Sequence, residues 1–318
     1  MIKLRHTLWE NLTLYSFQLP DQTTIEFLPG YGAGLNGLHI PTSAGLVNII
    51  EGYQEFTDIE KNGKVRYLSS FLFPFPNRTQ DGKYSFEAKD YQFPINETAR
   101  NNALHGMLHN KPFIVSGIFT DGEVGKIEMV YHEENPPHYY PFPFEVRIRW
   151  EFSVEGLSCH TSIENIGESK MPVGFGWHPY FKTGSRVNDW KVGLPNGKEF
   201  LVDERMIPTG EKVAFDKFSK PALFGETHFD KGFELPANSE TVESSFEDPA
   251  LGLKVNVWQK TGPGKYNYLQ VYSPPDRNML AIEPMTCPAN ALQTGESLNL
   301  LPPGQIQQAS FGIKWVLI

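Results

Sequence analysis

Phe144-Glu145-Val146-Arg147-Ile148-Arg149-Trp150-Glu151-Phe152-Ser153-Val154-Glu155 alternates apolar and polar residues without a break. Successive side chains of a strand point to opposite faces, so a period of two predicts a long strand with one face buried and one wet. Glu155-Gly156 then turns the chain, and Leu157, Cys159, Thr161 and Ile163 resume the alternation, which predicts a hairpin. Working outward, Asn165-Ile166-Gly167 closes that hairpin and the next strand runs from Val173 to Phe181. The same pattern appears at Thr23–Leu28, Leu46–Ile50 and Leu253–Trp258, and again from Phe311 to Leu317, where the C-terminus is expected to pair inside a sheet. Tyr266–Tyr272 and Met279–Ile282 are short apolar runs bounded by prolines. Few windows have helical periodicity, and none is long. The expected fold class is all-β: one domain over residues 1–318, a large and mainly antiparallel β-sandwich with few short helices.

Composition agrees. The 318 residues include 23 Phe and 13 Tyr, residue types that fit pleated surfaces, and 28 Gly with 25 Pro, too much punctuation for long helices. The net charge of −9 argues against a phosphate-backbone partner, which calls for a basic stripe. Cys159 and Cys287 are too few for a disulfide framework and form no C-x-x-C pattern. Met1–Asn11 lacks the apolar core of a signal peptide, and no apolar run approaches a membrane span. A reduced, cytoplasmic protein is expected, in which the Asn-x-Thr sequons at Asn11, Asn77 and Asn96 carry no meaning.

Two segments carry the chemistry. Gly176-Trp177-His178-Pro179-Tyr180-Phe181 and Ile282-Glu283-Pro284-Met285-Thr286 each set a titratable residue before a proline, which confines its backbone to extended geometry. Histidine and carboxylate are the side chains most readily tuned for proton transfer near neutrality. Glu283 ends an apolar run, where desolvation raises a carboxyl pKa into the range of a useful base. The carboxylate beside His178 is expected to favour the charged imidazolium. Asn101-Asn102-Ala103-Leu104-His105-Gly106 contributes a second histidine, with a glycine that tolerates positive φ. His105 and His109 have the spacing of metal ligands on a helix, but Asn102, Gly106 and Asn110 disfavour a helix and no metal motif accompanies them. Asn77-Arg78 offers a rigid fork of donors, and Phe229-Asp230-Lys231-Gly232-Phe233 sets an aspartate among aromatics. Each has a plain structural reading when taken alone: a satisfied core histidine, an exposed glutamate, a surface arginine, a turn aspartate. No phosphate loop, G-x-S-x-G elbow or dinucleotide fingerprint is present in the sequence.

In order, Asn77-Arg78, Asn102-Ala103-Leu104-His105-Gly106, Gly176-Trp177-His178-Pro179-Tyr180-Phe181, Phe229-Asp230-x-x-Phe233 and Glu283-Pro284-Met285-Thr286 resemble the aldose 1-epimerase (galactose mutarotase) family. The resemblance runs from about residue 20 to Leu301-Pro302-Pro303-Gly304 and the last strand. It implies a galactose mutarotase-like sandwich with an open sugar cleft, a small-molecule sugar as partner, and no cofactor or metal. It further implies Glu283 as the base at the anomeric hydroxyl, His178 as the acid at the ring oxygen and His105 as its assistant. Arg78, Asp230 and Asn77 match positions around the sugar hydroxyls, and Trp177 and Phe233 are candidates to stack on a sugar face. After His105-Gly106 the chain reads Met107-Leu108-His109, where the best-known galactose enzymes have a second glycine, as in a more divergent bacterial branch. That leaves the preferred sugar open. Three rivals stand beside this reading: a sugar sensor without turnover, a glycosidase using Glu283 and Asp230, and a mutarotase for sugar phosphates with Lys111, Lys182 or Arg186 at the rim. No nucleic acid or membrane partner is expected, and the chain is a monomer or a homodimer.

Overall fold

The computed structural model describes residues 1–236 and 241–318. Strand Phe144–Ser153 is buried at every second residue, and it pairs antiparallel with Gly156–Asn165, itself buried in alternation. The turn falls at Val154–Glu155, one residue earlier than the alternation suggested. Gly156 sets it: the residue has φ +141, and a Cβ there would meet the Ile313 carbonyl oxygen at 2.5 Å. Val154 is consequently exposed.

This hairpin lies within a nine-stranded sheet, next to the C-terminal strand Ile306–Leu317. An eight-stranded sheet is centred on Tyr268–Tyr272 and Leu280–Met285, and a five-stranded sheet is formed by the first 48 residues in simple up-and-down order. The named pairings within these sheets are antiparallel. Aromatic side chains join the layers. Trp150 of the nine-stranded sheet meets Trp177 of the eight-stranded one at 5.6 Å, and Phe311 stacks on Trp177 at 4.5 Å. From the five-stranded sheet Phe17 packs on Phe152 at 4.8 Å and Phe27 on Trp150 at 5.6 Å. Such large buried rings carry much of the energy of a core of this kind.

The stretch Val173–Phe181 differs from the expected continuous strand. It is divided into Met171–Val173, which pairs with Asn299–Leu301, and the short pieces Gly176–Trp177 and Tyr180–Phe181. Gly174 explains part of the break, since a Cβ there would lie 2.3 Å from the Cys287 sulfur. Pro179 explains the rest, because it has no N–H for a central ladder. Helix Phe56–Arg66 was not legible in the sequence: its residues FTDIEKNGKVR are predominantly polar and present no apolar stripe. Its C-cap, Tyr67, is left-handed at φ +49. No helix among the described residues is long and apolar enough to cross a membrane. Both cysteines are free and buried.

Candidate active site

Strand register assembles most of the site. Tyr180 pairs with Ala281 and Gly176 with Met285, so the interrupted stretch between them sets His178 directly across from Glu283. On its other side Glu283 pairs with Gln270, and Gln270 pairs with Gly232. A parallel row two residues away reads Tyr180, Ala281, Tyr272, Asp230. Because faces alternate along a strand, these two rows share one face of the eight-stranded sheet. Glu283 therefore sits inside a central strand rather than at the strand end expected from sequence. Pro284, which cannot donate to a ladder, falls where the neighbouring strand is interrupted.

A two-stranded ribbon, Arg78–Gln80 with Asn102–Leu104, brings the remaining groups over that face. It is tied down by Asn290, whose backbone N–H donates to the Arg78 carbonyl at 2.6 Å and whose side-chain oxygen accepts from the Gln80 N–H at 3.0 Å. His105 follows the ribbon in left-handed geometry, φ +62, and Gly106 continues it at φ +66. The Asn77 and His105 backbones lock together: the His105 N–H donates to the Asn77 carbonyl at 2.8 Å, and the Asn77 N–H donates to His105 Nδ1 at 3.2 Å. An Nδ1 that accepts must leave the proton of a neutral imidazole on Nε2. Gly106 has no room for a side chain, since a Cβ would lie 2.0 Å from the Phe73 carbonyl oxygen. Gly106→Ala is expected to destabilise the protein by more than about 3 kcal/mol in chemical denaturation, through backbone strain and a clash together. A midpoint unchanged from wild type would show that this turn relaxes freely.

The resulting cleft has a volume of about 420 Å³ and is lined by Tyr67, Arg78, His105, His178, Asp230 and Glu283 among others. His178 Nε2 lies 3.6 Å from Glu283 Oε1, and the two residues are 5% and 2% exposed. His178 Nδ1 and Glu283 Oε2 have no hydrogen-bond partner in the protein. Buried polar atoms are normally paired, so burial without a partner makes charge on either residue costly. The rings of His105 and His178 meet edge to face at 4.9 Å, and Tyr180 and Tyr67 stack along His178 at 4.9 and 6.3 Å.

Charges in the cleft follow burial. Desolvation, with the nearby Asp230 adding to it and Arg78 opposing it, raises the Glu283 carboxyl well above its ordinary value. Desolvation pulls His178 down to about 3, and it holds His105 well below its ordinary value, helped by His178 and Arg78. The expectation of a standing imidazolium at His178 is thus corrected. Burial disfavours charge on both partners and shifts a single proton shared by the pair toward Glu283. One proton is also the count of a carboxylate–imidazolium pair, which one transfer along the 3.6 Å separation would produce.

Arg78 is held from behind. Its Nε and Nη2 donate to both oxygens of Glu97 at 2.9–3.2 Å, while Nη2 approaches Asp230 Oδ2 at 3.9 Å. Glu97 also accepts from Asn102 Nδ2 at 2.9 Å and Arg100 Nη1 at 3.1 Å. Asp230 Oδ1 accepts from Gln270 Nε2 at 2.8 Å. Asn77 lines the cleft, but its side-chain oxygen accepts from the Arg78 backbone N–H at 2.9 Å, so it chiefly positions that residue.

Two sequence candidates lie elsewhere. Trp177 is 3% exposed, faces the core and donates its ring N–H to the Ser69 carbonyl at 3.0 Å. Phe233 is 2% exposed and packs on Phe215 and Phe229. The reason is parity: Trp177 is one residue from His178 and Phe233 three from Asp230, so each takes the opposite face. The aromatics at the cleft are Tyr67, Tyr180 and Tyr272. Sequence reasoning passed over Gln270 and Tyr272, although period two in Tyr268–Tyr272 sets them apart from Leu269 and Val271. Glu97 lay in an unremarkable loop and gave no signal. His109 is half-buried against Tyr67 at 4.7 Å, and desolvation lowers it to about 4. No group of three or more His, Cys, Asp or Glu among the described residues is placed to hold a metal ion.

The family model for aldose 1-epimerase matches residues 14–314. The chain belongs to the aldose 1-epimerase family. Among relatives of this aldose 1-epimerase family member, the uncharacterised protein YihR of Escherichia coli is 29% identical over 255 residues, covering 78% of this chain and 79% of that protein. The galactose mutarotase of Mus musculus is 24% identical over 249 residues, 72% of this chain and 69% of its own. Among solved structures, a galactose mutarotase-like protein from Clostridium acetobutylicum superposes with a TM-score of 0.88 at 23% identity, covering 100% of this chain and 99% of the other. The galactose 1-epimerase of Lactobacillus acidophilus gives 0.82 at 16%, with 99% of each chain covered. The large antiparallel β fold is therefore that of the galactose mutarotase-like proteins.

Proposed function

We propose that this chain interconverts the α and β anomers of a free, uncharged aldohexose by general acid/base ring opening and closure. The observation that carries the reading is the buried His178–Glu283 pair, 3.6 Å apart, in the lining of the cleft. The anomeric oxygen and the ring oxygen are bonded to the same carbon, so an acid and a base at that spacing reach both.

Ring opening begins with the pair as carboxylate and imidazolium. The anomeric O–H proton passes to Glu283 while the His178 proton passes to the ring oxygen. The bond from the anomeric carbon to the ring oxygen breaks and a carbonyl forms. Rotation about the adjacent carbon–carbon bond presents the other face, and the reverse transfers close the opposite anomer, restoring both protons. His105, neutral with its proton on Nε2, donates a hydrogen bond near the ring oxygen. Arg78 and Asp230 hold hydroxyls, with Asn77 positioning Arg78. Each placed proton transfer contributes on the order of 10²–10⁴-fold.

An uncharged sugar is favoured over a phosphate ester because, among the described residues, the cations lining the cleft are Arg78 and Arg100, both engaged by Glu97. Lys182, a candidate for the rim, is paired with Glu51 at 2.6 Å. The test is the decay of optical rotation of freshly dissolved α-aldoses and their 6-phosphates. Faster decay with the free sugars supports the reading, whereas binding without acceleration would make the protein a sensor, and preference for the phosphates would reverse the substrate class.

The pair also sets the pH dependence. The active form holds one proton. A second proton goes to His178, whose pKa is depressed to about 3, and the first leaves a Glu283 raised by burial. Activity is therefore lost only as pH falls far below neutrality or rises beyond it. The acid limb of the kcat/KM profile, corrected for buffer mutarotation, is expected near the depressed His178 value of about 3. An inflection near 6.5, the value of a free imidazole, would mean that His178 titrates alone.

A further inference from the structure

Behind the Arg78–Asp230 side of the cleft lies a small chamber that the mutarotation chemistry does not use. It shares Asn77, Arg78, Asp230 and Gln270 with the cleft, and the rest of its lining is apolar, Phe200, Met206, Met285, Pro288 and Ala289 among it. It exists partly because Gly232 sets no side chain on the cleft-facing row beside Gln270, where a Cβ would come within 3.1 Å of Gln270 Oε1. Its volume of about 20 Å³ exceeds the ~10–15 Å³ that one water-sized probe needs, so it takes one small group.

The chamber is braced. Met206 belongs to the tip between strands Gly197–Val202 and Pro208–Phe215, and its neighbour Arg205 pins that tip to the segment bearing the site. Arg205 donates to Asp81 Oδ1 at 2.8 Å and to the carbonyls of Arg100 and Asn101 at 2.9 and 2.8 Å, and Asn102 Nδ2 returns a bond to the Arg205 carbonyl at 3.0 Å. A hydroxyl set against the Phe200, Met206, Met285 and Ala289 part of this lining would give up water for carbon and sulfur, whereas a methyl group gains by the same move.

We infer that this chamber is a specificity subsite, and that the preferred aldose carries a methyl-terminated substituent on the ring edge held by Arg78 and Asp230. The inference rests on the mutarotase reading for its turnover assay but not for its binding assay. Methyl-bearing aldoses of this kind are 6-deoxy, O-methyl and N-acetylamino sugars.

Anomer exchange is measured for glucose and galactose beside their 6-deoxy, 3-O-methyl, 4-O-methyl and 2-acetamido-2-deoxy forms. In wild type one methyl-bearing form is expected to exceed its parent in kcat/KM by about tenfold, the scale at which an apolar pocket discriminates one small group. Ala289→Val, which fills the chamber, should bring that ratio to about one or below. Met206→Ala, which widens it, should move the preference to a larger acyl group such as the 2-propionamido sugar. No methyl-bearing form exceeding its parent, or an Ala289→Val that slows both alike, would overturn the inference. If no aldose at all is turned over, the mutarotase reading fails, and saturation-transfer NMR still decides the subsite. Strong saturation of the methyl protons, lost in Ala289→Val, upholds it; even saturation around the sugar overturns it.

Discussion

Glu283→Gln is expected to lose anomer exchange by 10²–10⁴-fold, the scale of one positioned proton transfer. Glutamine keeps the shape and the hydrogen bonds a carboxyl can offer, but it cannot accept a proton at neutral pH. The fold should survive. Glu283 is buried on a central strand, its carboxyl is raised by desolvation, and one of its oxygens has no partner in the protein. Its replacement by a neutral amide of equal size therefore removes chemistry and leaves packing intact. Polarimetric rates at matched concentration, with thermal unfolding of both proteins alongside, separate the two. A variant as fast as wild type would remove Glu283 from the mechanism, and a variant that does not fold would make it structural.

Glu97→Ala is expected to damage both stability and substrate affinity. The Arg78 and Glu97 side chains are only 10% and 12% exposed, and their contact is bidentate. Removing Glu97 from this largely buried pair leaves Arg78 with only the 3.9 Å ion pair to Asp230, which costs up to about 3–5 kcal/mol. Asn102 and Arg100 lose a partner in the same change. Arg78, released from behind, no longer aims at the hydroxyl site, so KM should rise by on the order of tenfold or more with a smaller change in kcat, as for lost binding that is uniform along the reaction. Denaturant midpoints and steady-state kinetics check both halves. A stability loss below about 1 kcal/mol, the range of exposed pairs, would mean that solvent screens this contact.

The fold was legible because its strongest signal is local. Twelve residues of strict alternation at Phe144–Glu155 require neither tertiary contacts nor a partner strand to be read, and the same logic found the C-terminal strand. Interruptions were harder. The break at Gly174 depends on the Cys287 sulfur and the tight turn at Gly156 on the Ile313 carbonyl, partners far away in sequence. The site was legible where a residue follows a conformational marker: His178 and Glu283 before prolines, His105 before Gly106. Trp177 and Phe233 misled because aromatic character was weighed without strand parity, which sends both to the core. Glu97 could not have been found, since its role exists only once the ribbon Arg78–Gln80 and Asn102–Leu104 has formed beside it. The charge state of His178 was misjudged because sequence reveals its neighbour but not the burial that disfavours charge on them both.

Magnetisation-transfer NMR on a free aldose and on its methyl glycoside, each with catalytic amounts of the wild-type protein, tests the central claim most directly. The account predicts α/β exchange well above the buffer rate for the free sugar and neither exchange nor cleavage for the glycoside, which has no anomeric hydroxyl proton for Glu283 to take. Exchange at the buffer rate for every free aldose, or hydrolysis of the glycoside, would contradict it.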